Sequence, residues 1–262
     1  MENPARSNIP VIEMTGLAVG SRDNPAAPIL ENINWTVRAG EYWVIGGMHG
    51  SGKTELLSLA DGLAAPLKGS YRLFGREMPV RGDEFLAEGL RVGLVFEEGQ
   101  LFHHLSVGEN IALPLRYHRE LAHGHLEDAV HNILEWCELL PQAVLLPGRM
   151  ERAWRKRAGL ARALALQPEL LLLDNPLGGL DPRHAHWWFG ALDQLSAGRG
   201  YSEGRPTTLV VTTDDLRPWR SRPASFALLQ QDQFRLVGPH PALGDLPDPL
   251  VKELLSESLP AK

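Results

Sequence analysis

Runs of apolar and polar positions divide the chain into short strands and amphipathic helices. Ile9–Val19 and Ile29–Val37 have strand character and are separated by the turn-rich stretch Gly20–Pro28. The apolar run Tyr42–Ile45 leads into a glycine-rich loop, and Glu55–Leu63 then takes up helical spacing. Ser70–Phe74 and Arg91–Phe96 are further strand candidates. Ser106-Val107-Gly108-Glu109 has the spacing of a capping box, so a short helix is expected after it. Leu126, Val130, Ile133, Leu134 and Cys137 recur at helical spacing and predict a helix over His125–Leu140. A second helix is expected over Arg152–Leu166, ended by Pro168. Leu170–Leu173 is apolar throughout, as in a strand covered on both faces. Pro182–Leu195 reads as helix, Ala197–Pro206 as a Gly-rich loop, Thr207–Val211 as strand and Phe226–Leu236 as a closing hairpin. Asp248–Glu257 should form a terminal helix.

This order predicts an α/β fold: a mostly parallel sheet flanked by helices, with an antiparallel β subdomain and a small helical subdomain. No repeat, low-complexity segment or linker interrupts it. A single domain over 1–262 is therefore expected, with a helical sub-lobe at about 100–165 inserted in the core.

Composition narrows the function. At 262 residues and 44% hydrophobic content the chain can bury a large core. Its net charge of −6 argues against a general nucleic-acid binder. The one cysteine, Cys137, excludes an internal disulfide framework and reads as a small buried hydrophobe. Met1–Pro10 lacks an apolar signal region, and Leu170–Leu173 is far too short to span a bilayer. A cytoplasmic protein is expected, one that reaches a membrane only by docking on another subunit.

The chemistry concentrates in Gly47-Met48-His49-Gly50-Ser51-Gly52-Lys53-Thr54. Glycines let backbone N–H groups close around a polyphosphate, a lysine reaches the terminal phosphates and a hydroxyl holds Mg²⁺. The strand before and the helix after supply the required context, the helix aiming its uncapped N–H groups at the anion. The stretch reads as a phosphate-binding P-loop, with ATP and Mg as cofactors. An acidic residue after a second apolar strand completes such a site, and Leu170–Leu173 is followed by Asp174.

The motifs GGMHGSGKT, LARALALQPELLLLD and GGLDP make the chain resemble the ATP-binding subunit of ABC transporters over nearly its full length. VGLVFEEGQLFHHLSVGENIALPLRYH, at Val92–His118, and the ending DPLVKELL are similar to the lipid-importing branch that maintains outer-membrane asymmetry. The resemblance implies a P-loop NTPase core, a homo- or heterodimer of ATP-binding subunits, and an integral-membrane permease on whose cytoplasmic face the chain sits. It implies Mg²⁺ ligands at Thr54, Glu97 and Asp174.

Several positions depart from the family's pattern. The usual glutamate after the strand aspartate is Asn175, an amide that accepts a proton poorly. The switch histidine is Thr213, and the glutamine after VGLVF is Glu97, a better metal ligand but an extra negative charge. An ungapped alignment puts the LSGGQ signature on Met150-Glu151-Arg152-Ala153-Trp154. A four-residue insertion puts it instead on Leu146-Pro147-Gly148-Arg149-Met150, and either alignment breaks the motif. The adenine-stacking aromatic is absent near Ser21, and Arg22 could take its place. Three readings stand: a transporter subunit that binds Mg·ATP and hydrolyses it slowly, a non-hydrolysing scaffold or regulator, and a hydrolase that recruits Glu97 or Glu98 as base.

The remaining features have plainer readings. Arg149, Arg152, Arg155, Lys156 and Arg157 read as a solvated basic helix face. His103, His104, His123 and His125 lack metal-site spacing. Trp187 and Trp188 read as packing or interface residues.

Overall fold

In chain order the first elements are β1 (Ile12–Gly20), β2 (Pro28–Val37), β3 (Tyr42–Gly47), α1 (Lys53–Ala60), β4 (Lys68–Leu73) and β5 (Arg76–Met78). There follow β6 (Val92–Val95), α2 (Val107–His118), α3 (His123–Trp136), α4 (Arg152–Leu164), β7 (Leu170–Asp174) and α5 (Pro182–Ser196). β8 (Thr208–Thr213), β9 (Ser225–Gln230), β10 (Gln233–Pro239) and α6 (Pro249–Leu254) close the chain. The structure, a computed structural model, describes residues 9–21, 24, 26–78, 89–118, 123–202, 204–239 and 243–256. It divides into two units, Met1–Gly89 with Thr208–Lys262, and Leu90–Thr207.

In the first unit the strands lie in the order β5-β4-β1-β2-β10-β9-β3-β8. One end is antiparallel, β4 and β2 flanking β1. The other is parallel where β3 runs between β8 and β9, with Val44 opposite Val211 and Phe226. Burial explains the difference. β3 and β8 are buried at every residue, as two-sided strands require, whereas β2 alternates buried and exposed positions over Asn32–Val37. The first strand begins at Ile12 rather than the expected Ile9, whose side chain is 47% exposed. The three-residue β5 is too short to have left a periodic signal. The terminal helix is shorter than expected. Asp248 caps it, accepting from the Leu250 and Val251 N–H groups.

Asp61 ends α1, its N–H donating to Leu57 O. Burial pushes its carboxyl up from 3.8 to about 7. The folded state thus keeps a proton that the unfolded chain releases near pH 4, so stability falls as pH rises from about 4 to about 7 and stays reduced above. Asp61→Asn removes this penalty. Its melting temperature at pH 8 is expected to exceed that of the natural chain, by the equivalent of up to about 4 kcal/mol, with no gain at pH 4. Thermal melts at the two pH values check this.

In the second unit β6 and β7 pair in parallel, Val95 opposite Leu173. Val107, Ile111 and Leu115 of α2, Ile133 and Leu134 of α3, and Ala158 and Ala161 of α4 share one core with Cys137, as the helical spacing predicted. The α3 helix stops at Trp136, short of the expected Leu140. Glu138 adopts φ 56, the Leu139 N–H donates to Leu134 O and the Glu138 N–H to Glu135 O, which is a Schellman ending built without glycine. The basic stretch is corrected too. Lys156 and Arg157 are each 1% exposed, so α4 turns part of its charge inward. Arg157 Nη1 donates to Glu138 at 2.8 Å, and its guanidinium carbon lies 4.6 Å from the Trp154 ring centroid and 4.0 Å from that of Trp187. Trp188 is core, as expected.

Candidate functional site

The site residues fall in both units, and each half is built by its own local rules. In the first unit β3 delivers the loop. At Gly47 a Cβ would stand 2.5 Å from Ser51 Oγ, so the chain turns there only without a side chain. Gly52 opens α1 at φ 88, a left-handed conformation that favours glycine, and no side chain caps the helix start. Lys53 folds back along the loop and donates to Gly47 O at 2.8 Å and Met48 O at 2.7 Å. Ser51 Oγ is buried and has no hydrogen-bond partner among the described residues. An orphaned hydroxyl beside a side-chain-free turn and an uncapped helix start fits a phosphate group. Residues Gly47 to Thr54 thus lie between a strand and a helix start, the order expected from the sequence.

Thr213 ends β8 in the same unit. Its hydroxyl donates to Asp215 O at 2.9 Å and accepts from the Asp215 N–H at 3.1 Å. The side chain closes its own turn, and it lacks the ionisable ring expected at a switch position.

In the second unit Asp174 ends β7 and is buried. Asn175 follows at φ 43, a region that Asn tolerates better than most residues. Its Nδ2 donates to Glu97 Oε1 at 3.0 Å. Arg152 Nη2 donates to the same oxygen at 2.9 Å, and Arg152 Nε to Glu98 Oε1 at 2.7 Å. Arg155 approaches the other Glu98 oxygen at 3.7 Å. A Cβ on Gly178 would strike the Asn175 amide, and one on Gly179 the Arg152 guanidinium, so the GGLDP glycines make room for the cluster. Lys156 Nζ donates to Asn175 O and Gly178 O, both at 2.8 Å. Burial pushes this ammonium down to about 8. Arg152 adds to the shift, and Glu97, Glu98 and Asp174 oppose it.

The α4 helix starts at Arg152 with Glu151 as an extended N-cap residue making no side-chain bond. The ungapped signature alignment therefore falls on the helix start, and the gapped one on a 3-10 turn at Pro147–Arg149. The loop carrying Glu97 and Glu98 lies against this helix. A Cβ on Gly159 would sit 2.8 Å from Gly99 Cα, and Arg162 donates to Gln100 O at 2.9 Å. In GGLDP, Asp181 caps α5 by accepting from the His184 and Arg183 N–H groups, which holds its carboxyl below the usual carboxylate range.

The described residues contain no cluster of three His, Cys, Asp or Glu suited to a metal. Glu97, expected as a Mg²⁺ ligand, has one oxygen taken twice by Asn175 and Arg152. The sequence alone places Arg152 at a signature position and, with Lys156, on a solvated helix face, not beside Glu97 and Asn175. The available signal was an adjacent carboxylate pair, Glu97-Glu98, facing cations four residues apart on one helix. Arg22 and His123's side chain lie outside the described residues.

Residues 30–178 match the ABC transporter family. The chain is 32% identical over 228 residues to the intermembrane phospholipid transport system ATP-binding protein MlaF of Escherichia coli K12, covering 87% of this chain and 82% of MlaF. It is 29% identical over 246 residues to the probable ribonucleotide transport ATP-binding protein mkl of Mycobacterium tuberculosis, covering 94% of this chain. It spans 66% of that relative's length. Among solved structures, the dimeric post-hydrolysis ATP-binding cassette MJ0796 bound to ADP and Pi aligns with a TM-score of 0.77 at 23% identity. The alignment covers 88% of this chain and 98% of that one. The cbiO1 structure from Clostridium perfringens aligns at 0.73 and 21% identity, over 88% and 89% of the two chains. These likenesses establish the P-loop NTPase fold expected from the sequence.

Proposed function

We propose, from the premise that this chain belongs to the ABC transporter family as an ATP-binding subunit, that it binds Mg·ATP firmly and hydrolyses it slowly. The observation that carries this is the state of position 175. Asn175 stands next to Asp174 with its amide turned onto Glu97, and the Thr213 hydroxyl is engaged in its own turn. Losing a positioned general base typically lowers a rate by about 10²–10⁴-fold, or roughly 3–5 kcal/mol of barrier. Residues 47–54 are the phosphate cradle in this reading. Mg²⁺, which neutralises the terminal phosphates when bound, would be held by Thr54 and Asp174. Glu97 would join them on release from Arg152.

The relative named for intermembrane phospholipid transport supports a lipid or other hydrophobic cargo. The dimeric cassette among the structural neighbours supports pairing with a second ATP-binding subunit, homologous or identical. No helix among the described residues is long and apolar enough to cross a membrane, which fits a peripheral subunit on a permease at the cytoplasmic face. The two units would act as one ATP-binding domain.

The test is a paired measurement on the purified chain, of thermal shift with millimolar Mg·ATP and of phosphate release. A clear rise in melting temperature with slow release is expected. Brisk release would sink the slow-hydrolysis reading. Absence of any shift would favour a non-hydrolysing scaffold, a second reading that the protein-only network around Arg152 and Lys156 supports.

A further inference from the structure

Asn175 and Glu97 are 78 residues apart in sequence, yet one hydrogen bond of 3.0 Å joins their side chains. The amide donates and the carboxylate accepts, so their roles are complementary. Arg152 closes the arrangement by donating to the same Glu97 oxygen and, through Nε, to Glu98. Charges around this contact are balanced within the unit. Arg152, Arg155 and Lys156 face Glu97, Glu98 and Asp174, of which Arg152 and Arg155 pair with Glu98, and Lys156 responds to all three carboxylates. A fourth carboxylate at position 175 would replace the donor of this contact by a second acceptor facing Glu97, and carboxylates that close do not both ionise without cost. Gly178 makes room for this arrangement, because the 175 amide rests where a Cβ at 178 would be.

We propose that Glu97 and Asn175 form a single carboxylate–amide couple, fixed by Arg152 as a positioning residue, that admits one negative charge and carries it on Glu97 rather than at position 175. The two ends are interchangeable as a pair and not singly. Restoring a glutamate at 175 alone therefore breaks the couple, and it becomes useful only when position 97 simultaneously becomes an amide. The stability part of this statement needs no nucleotide. Its turnover part rests on the ATP-binding reading given above.

The experiment compares Asn175→Gln, Asn175→Glu, Glu97→Gln and the exchange variant Glu97→Gln/Asn175→Glu. Asn175→Gln is the control for side-chain length and for the left-handed backbone at 175. Without nucleotide, Asn175→Glu is expected to melt at least about 5 °C below Asn175→Gln, and the exchange variant to return to within about 2 °C of that control. Should Asn175→Glu fail to fold, recovery of a cooperative melt in the exchange variant supports the couple as directly. Phosphate release by the exchange variant is expected to exceed that of Asn175→Glu at least tenfold. Equal melting of Asn175→Glu and Asn175→Gln would overturn the single-charge claim, and equal phosphate release by Asn175→Glu and the exchange variant would overturn the functional half. Failure of the natural chain to bind Mg·ATP would sink the earlier reading while leaving the melting comparison intact.

Discussion

Lys53→Ala is expected to weaken ATP binding by at least about 100-fold, close to 3 kcal/mol. The ammonium is the charged group of the cradle, placed by its bonds to Gly47 O and Met48 O so that it lies along the loop that would receive phosphate. Removing it subtracts the strongest attraction for a polyphosphate and leaves two carbonyl groups to find other donors. The variant should still fold, since the β3 strand beneath is buried at every residue and paired on both sides. Equilibrium binding of a fluorescent ATP analogue measures the loss. Affinity within threefold of the natural chain would show that nucleotide, if bound, is held elsewhere.

The largest loss of stability is expected from Arg157→Ala. Its guanidinium is fully buried between the rings of Trp154 and Trp187 and is bonded to Glu138, so it joins the end of α3 to α4 and α5. Truncation deletes a large buried side chain together with the partner of Glu138, whose left-handed backbone closes the Schellman ending. Glu138 is more than half exposed, so loss of the ion pair itself costs little, and the cavity left by the large buried side chain is expected to cost about 3–5 kcal/mol. For a chain of this size that lowers the melting temperature by roughly 10 °C. Arg157→Lys keeps the charge but not the planar stacking, and should recover less than half the loss. Urea or thermal denaturation of both variants decides the matter, and a shift under 3 °C for Arg157→Ala would show that the buried cation is dispensable.

What the sequence disclosed and what it hid follow from distance along the chain. The loop proposed as a phosphate cradle was legible because it lies in eight consecutive residues between a strand and a helix, both of which the structure forms. Asp174 was legible because a two-sided apolar strand announces its own end. The cluster around Arg152 was not, because its members come from three separate segments, 97–98, 152–156 and 175, and no periodicity links one segment to another. A basic helix in an acidic chain reads as a solvated face, and only tertiary packing shows that Lys156 and Arg157 turn inward. The end of α3 was hidden for a chemical reason. A left-handed closing residue is ordinarily glycine, and here it is Glu138, held by its bond to Arg157.

One contact also bears on motion. Where Gly99 meets Gly159, main chain touches main chain with no side chain between them. Side chains can change rotamer and absorb a small slide between neighbours, but bare backbone has no such lubricant. The loop bearing Glu97 therefore has little slack against α4, to which Arg162 also ties it through Gln100 O.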